Sequence, residues 1–140
     1  MNTEQIAVFF YGLFMDQTLL AAKGIRPSRA LTGHVDGYVL RLGSRATLVQ
    51  DKNHKVYGVL MTIGAADVTA LYSEETVADY EAEIVSVALA DGTHEAAVCY
   101  ILPESKQQGT NAQYASALLE LAARLNFPRQ YLQQIRDQAV

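Results

Sequence analysis

The 140-residue sequence has no tryptophan, one cysteine, three prolines and three histidines, and each shortage excludes something. With Cys99 alone, no intramolecular disulfide can form. His34, His54 and His94 stand far apart, with no cysteine or carboxylate at ligand spacing, so a metal centre has no sequence support. Long apolar runs are also missing. None approaches the ~20 residues that span a bilayer as a helix, the longest being broken by Gly12, Asp16 or Lys23. Positive charge is sparse and scattered, and the formal net charge is −4. That balance leaves no electrostatic footprint for nucleic acid or for an anionic membrane, so small-molecule or protein partners are expected. The opening "MNTEQ" lacks the basic start and apolar run of a secretory signal, which makes the cytoplasm the expected compartment.

What the sequence does have is apolar content, at half of its residues. Over this length that is enough to bury one core and too little chain for two, so one domain over 1–140 is expected. "QIAVFFYG" is a short apolar run closed by glycine, which suits a strand buried on both faces at residues 6–11. Asp16 then stands as an N-cap before "QTLLAAKG", a short helix stopped at Gly24. From Arg29 to Met61 the pattern is repeated β, in "ALTGHVDGYVLRLG", "ATLVQD" and "KVYGVLMTI", with "DKNHK" as punctuation. Gly33, Gly37 and Gly58 would each weaken a flat strand, and imply bulges or close backbone approach in a curved, closing sheet.

A short helix is expected over "GAADVTALY", with Val68 and Leu71 inward. "EIVSVAL" and "EAAVCYIL" flank Asp91-Gly92, a hairpin signal, and put Cys99 on the stripe of Ala97 and Ile101 as a buried structural thiol. "NAQYASALLELAARLN" has the helical period with Asn111 as cap, and a further helix follows, with Pro128 in its first turn and Tyr131, Leu132 and Ile135 on its buried side.

Two stretches invite a chemical reading. "FFYGLFMD" puts a glycine between a buried strand and a helix, where successive N–H groups can converge on a carboxylate or an oxyanion. Taken alone, it reads first as a plain strand exit in which Leu13, Phe14 and Met15 pack. No dinucleotide or phosphate-loop spacing follows it. "ALYSEETVADYEAE" packs Glu74, Glu75, Asp79, Glu81 and Glu83 into residues 70–83. As a charge run it reads as solvated, with Glu81 and Glu83 alternating outward along the next strand.

Taken in order, "FFYGLFM", "HVDGYVL", "KVYGVLMTI", "ALYSEETVADYEAEIVSV", "AAVCYIL" and "NAQYASALLELAARLNFPRQYLQQI" resemble the γ-glutamylcyclotransferase superfamily and its AIG2-like members. The resemblance implies an α+β fold: a small, strongly curved mixed β-barrel with flanking short helices, a C-terminal helix pair and a pocket at one end. It implies an enzyme that cyclises a γ-glutamyl amine or dipeptide to 5-oxoproline and releases the amine. By position, Glu75 would be the general base and acid, and Tyr11, Gly12, Leu13 and Phe14 would hold the substrate. Tyr80 and Tyr114 align with pocket tyrosines, although Tyr114, one residue ahead of the helical stripe, fits core packing as well. Ring closure is intramolecular, so no metal or organic cofactor is expected. Leu13 and Phe14 are more apolar than their counterparts, which supplies the alternative: a lapsed or re-specialised small-molecule-binding member of the same fold.

Overall fold

In the computed structural model, which describes residues 4–74, 77–106 and 109–138, the first apolar run forms β1, Gln5–Phe10. Val8, Phe9 and Phe10 are consecutive and all buried, so both faces of this strand are covered and no polar alternation is needed. β1 pairs antiparallel with β3, Ala46–Gly64, which pairs antiparallel with β2, Arg29–Leu42. β4, Glu81–Leu89, and β5, His94–Ile101, form the expected hairpin, with Gly92 in the left-handed region at φ +87°. Two short seams close the cycle. β2 meets β4 at Gly33 and His34, and β5 meets β1 in parallel at Val8 and Val98. The order β1-β3-β2-β4-β5 is a closed, mixed barrel. The α+β class expected from the sequence is therefore the observed one.

Glycine makes the curvature possible. Gly33 and Gly58 face each other across the β2–β3 ladder. A Cβ on Gly58 would come within 2.3 Å of the Phe10 carbonyl, and one on Gly33 within 2.7 Å of the Ala88 carbonyl. Neighbouring strands therefore approach more closely there than any side chain would permit.

One boundary differs from the sequence reading. "DKNHK" does not separate two strands, because β3 runs unbroken through it. Asp36 pairs with Lys55 and Tyr38 with Gln50, so Asp51 to His54 bulge outward opposite Gly37, whose φ is +88°. The Asp51 carboxylate accepts the Asn53 N–H at 3.0 Å and lies 3.0 Å from His54 Nδ1. This local turn chemistry is satisfied within a bulge as readily as in a chain reversal. The outward placement of Glu81 and Glu83, which share one face of β4, is also corrected. Glu83 is the register partner of buried Cys99 and alternates with Val85 and Val87, so it belongs to the inner face, at the strand end where it stays exposed. The outward position is Ile84, 71% exposed. Alternation separates two faces but does not say which is inside.

The helices carry the caps their sequences suggest. α1, Gln17–Ala22, has the Asp16 side chain accepting the Thr18 N–H, and ends at Gly24 with φ +79°. α2, Ala65–Leu71, buries Val68 and Leu71. α3, Ala112–Arg124, is capped by Asn111, and α4, Arg129–Gln138, follows Pro128, whose carbonyl accepts from Tyr131 and Leu132. Fully buried Leu118 and Ile135 anchor this pair, each contributing about 1.5–3 kcal/mol by burial. Tyr131 packs edge-on against Tyr57 of β3, at 5.0 Å between ring centres.

Gln138 does the work of a strand. Its amide accepts the Leu42 N–H at 2.8 Å and donates to the Leu40 carbonyl at 2.9 Å. These groups lie on β2 beyond the seam with β4, and the clasp holds the stem of the turn into β3. Among the described residues no helix is long and apolar enough to cross a membrane.

Candidate active site

Five separate segments converge where β1 and β5 end and β3 begins. Tyr11 and Gly12 leave β1 and run into a single 3-10 turn at Leu13–Met15. The β2–β3 turn supplies Ser44 and Arg45, and β3 opens with Ala46. Tyr72, Val77 and Tyr80 come from the segment after α2, Tyr100 from β5, and Asn111 and Tyr114 from the start of α3. Together they line a cavity of about 490 Å³, within the range of small-molecule sites. Five of the chain's eight tyrosines are in its wall.

The aromatic groups hold one another in place. Tyr72 stacks on Tyr100 at 3.8 Å between ring centres, and Phe14 meets both Phe10 and Tyr72 edge-on at 5.9 Å. Two hydroxyls are committed to the scaffold: Tyr11 donates to the Tyr100 carbonyl at 2.7 Å, and Tyr80 to the Ala46 carbonyl at 2.5 Å. The first bond ties the end of β1 to β5, and the second ties the segment after α2 to the start of β3. Burial pushes the pKa values of Tyr11, Tyr72 and Tyr80 up, and that of Tyr114 up to about 12. All four are neutral phenols at physiological pH. Arg45 is the one charged side chain among the described lining residues, with its guanidinium 5.8 Å from the Tyr80 ring centre.

Gly12 is required by close approach. A Cβ there would lie 2.5 Å from the Tyr114 hydroxyl oxygen. The neighbouring Leu13 N–H tempers the rise in the Tyr114 pKa. No backbone acceptor among the described residues takes the N–H of Gly12 or Phe14. The turn thus presents amide donors beside a neutral aromatic wall, an arrangement suited to an oxygen that gains negative charge.

Tyr11, Gly12, Leu13, Phe14, Tyr80 and Tyr114, singled out from the sequence, all meet around this cavity. Glu75 lies outside the described residues. Glu74 is ion-paired, with both carboxylate oxygens 2.9 Å from Lys23 Nζ, and Asp79 lies 3.6 Å from Arg45 and from Lys106. Sequence reasoning missed Arg45, Tyr72, Tyr100 and Asn111 as cavity residues. Arg45 carried a faint signal, a cation in a Gly-Ser turn straight after a strand. Tyr100 carried none, because it alternates with Cys99 and so stands on the face opposite the inner stripe.

Comparison with known proteins bears on the same region. The family model described as "Gamma-glutamyl cyclotransferase, AIG2-like" matches residues 8–118. Comparison with curated proteins finds no significant match. Among solved structures, one called a gamma-glutamyl cyclotransferase is similar over 95% of this chain and 87% of its own, with a TM-score of 0.79 and 18% identity. YkqA from Bacillus subtilis is similar over 97% of this chain and 54% of its own, with a TM-score of 0.79 and 21% identity. A gamma-glutamyl cyclotransferase specific to glutathione from yeast is similar over 97% and 98%, with a TM-score of 0.63 and 14% identity. At these identities the likeness is one of fold.

Proposed function

Because the chain belongs to the gamma-glutamyl cyclotransferase, AIG2-like family, we propose that it cyclises a small γ-glutamyl compound to 5-oxoproline and releases the amine. The observation that carries this reading is the cavity in which Tyr11, Gly12, Leu13, Phe14, Tyr80 and Tyr114 meet. In the reaction the substrate's α-amino nitrogen bonds to its own γ-carbonyl carbon, and the bond from that carbon to the leaving nitrogen breaks. Protons given up by the ammonium are returned to the departing amine, so one carboxylate can act first as base and then as acid. Glu75 is assigned that task. In the chain it falls between Tyr72 and Val77, both of which line the cavity. A carboxylate admitted to so apolar a space has its acidity lowered towards neutrality, where such a shuttle is most effective. The amides of the Gly12 to Phe14 turn are the donors for the tetrahedral oxyanion. Proximity comes with the substrate, because nucleophile and electrophile belong to one molecule.

The test is release of 5-oxoproline from a panel of γ-glutamyl compounds by wild type and by Glu75→Gln. Loss of at least about a hundredfold in kcat is expected for the variant. Equal rates would end the assignment. A second reading is favoured by one feature: the loop after β1 brings the apolar side chains of Leu13 and Phe14 to the cavity wall. On that reading the cavity binds a different small molecule, and saturable binding without turnover would favour it.

A further inference from the structure

Beside the aromatic cavity, and sharing Ser44 and Arg45 with it, lies a second cavity of about 300 Å³ completed by Asp79, Ser105 and Lys106. Every described residue lining it is polar or charged. We propose that this annex receives the leaving half of the substrate and selects one that carries a carboxylate, so that γ-glutamyl amino acids and peptides are preferred over γ-glutamyl derivatives of uncharged amines. The inference rests on the cyclotransferase reading above and narrows it.

Position is the first argument. The two cavities share a wall at the β2–β3 turn, so a ligand whose glutamyl end lies among the aromatic groups can extend across Ser44 and Arg45 into polar surroundings. Charge is the second. The described lining residues comprise two cations, Arg45 and Lys106, and one anion, Asp79. Looseness is the third. Asp79 is 3.6 Å from Arg45 Nη2 and 3.6 Å from Lys106 Nζ, longer than the ~2.7–2.9 Å of a tight charge-assisted bond. By contrast, Glu74, earlier in the same segment, closes to 2.9 Å on Lys23 at the end of α1. Lys106 and Asp79 are also about half exposed, at 52% and 47%. Lys106 can therefore turn to an incoming carboxylate without breaking a strong bridge, and the Ser44 and Ser105 hydroxyls are placed to donate to the same group. Asp79 competes with the ligand for the two cations and keeps them at the annex when it is empty.

The test uses two substrates that differ only at the leaving end, γ-glutamylalanine and γ-glutamylalaninamide. Wild type should favour the carboxylate by about tenfold in kcat/KM, mainly through KM. Lys106→Glu should bring that ratio to about one or below. Asp79→Asn should raise it by about threefold, an opposite change that a folding defect would not produce. A ratio unmoved by Lys106→Glu, or an equal loss on both substrates, overturns the assignment, the latter because it would put Lys106 against the shared glutamyl half. If wild type turns over neither these two nor any compound of the γ-glutamyl panel, the cyclotransferase reading fails; whenever neither of the two is turned over, titration calorimetry with the same pair judges the annex. Carboxylate-selective binding that Lys106→Glu abolishes then supports it, and equal or undetectable binding of both compounds overturns it.

Discussion

An alanine at position 12 would carry its Cβ to 2.5 Å from the Tyr114 hydroxyl oxygen, with the next atoms, Tyr114 Cζ and Ala46 Cβ, at 3.9 and 4.0 Å. The backbone there, φ −110° and ψ −152°, is extended and open to any residue, so the cost is steric rather than conformational. Relief requires the hydroxyl to move away from the turn. Overpacking of this kind costs about 1–3 kcal/mol. The reduced freedom of the unfolded chain returns about 0.4–1 kcal/mol. A net loss of about 1–2 kcal/mol is therefore expected for Gly12→Ala, or roughly 3–8 °C in Tm for a chain of this size. Tyr114→Phe alone should cost no more than about 1 kcal/mol, for the polar contact of its hydroxyl with the turn. In the double variant the colliding oxygen is gone and the closest remaining contact is ordinary. Gly12→Ala should then cost little, giving a coupling of about 1–2 kcal/mol. Urea unfolding of the four proteins, followed by far-UV circular dichroism and tyrosine fluorescence, measures it. An equal penalty for Gly12→Ala in both backgrounds would refute the reasoning, since the turn and not Tyr114 would then be what yields.

Alkaline stability should fall between pH 10 and 12. Burial holds Tyr114 at about 12 in the folded chain against the ordinary 10, so above pH 10 the unfolded state releases a proton that the native state keeps. Stability is then complete below pH 10 and is lost as pH rises towards 12, by about 2 kcal/mol from this residue. Thermal unfolding across the window, with tyrosinate absorbance alongside, checks this, and a flat profile would contradict it. Cys99, buried and pushed up to about 12 by burial with Glu83 adding to the rise, should react with an aromatic disulfide reagent only after unfolding. Rapid stoichiometric labelling of the native protein would overturn that account.

Local features were legible in the sequence because local chemistry produces them. Asp16 and Asn111 cap because a short acceptor side chain reaches an orphan N–H two or three residues on. Asp91-Gly92 turns because glycine accepts a positive φ at no cost. "QIAVFF" is a buried strand because nothing polar interrupts it. "DKNHK" misled for a related reason: turn-forming residues stabilise a bulge with the same hydrogen bonds that they would make in a reversal. Glu83 misled because a period of two is unchanged when the faces are exchanged. In the cavity, the loop from Tyr11 to Phe14 was legible from the glycine between strand and helix. Arg45, Tyr72 and Tyr100 join it through contacts across tens of residues, and no sequence pattern records those.

The sequence by itself determined the kinds of element, their caps and turns, the apolar stripes and the family, all of which depend on residues within a few positions of one another or on their order. Only the tertiary structure decided that β3 is one strand, which face of β4 is inner, that Glu74 closes on Lys23 while Asp79 is shared loosely by Arg45 and Lys106, and that a polar annex adjoins an aromatic cavity. These are consequences of register and closure. A shift of one residue in any ladder would exchange its faces and send the same side chains elsewhere.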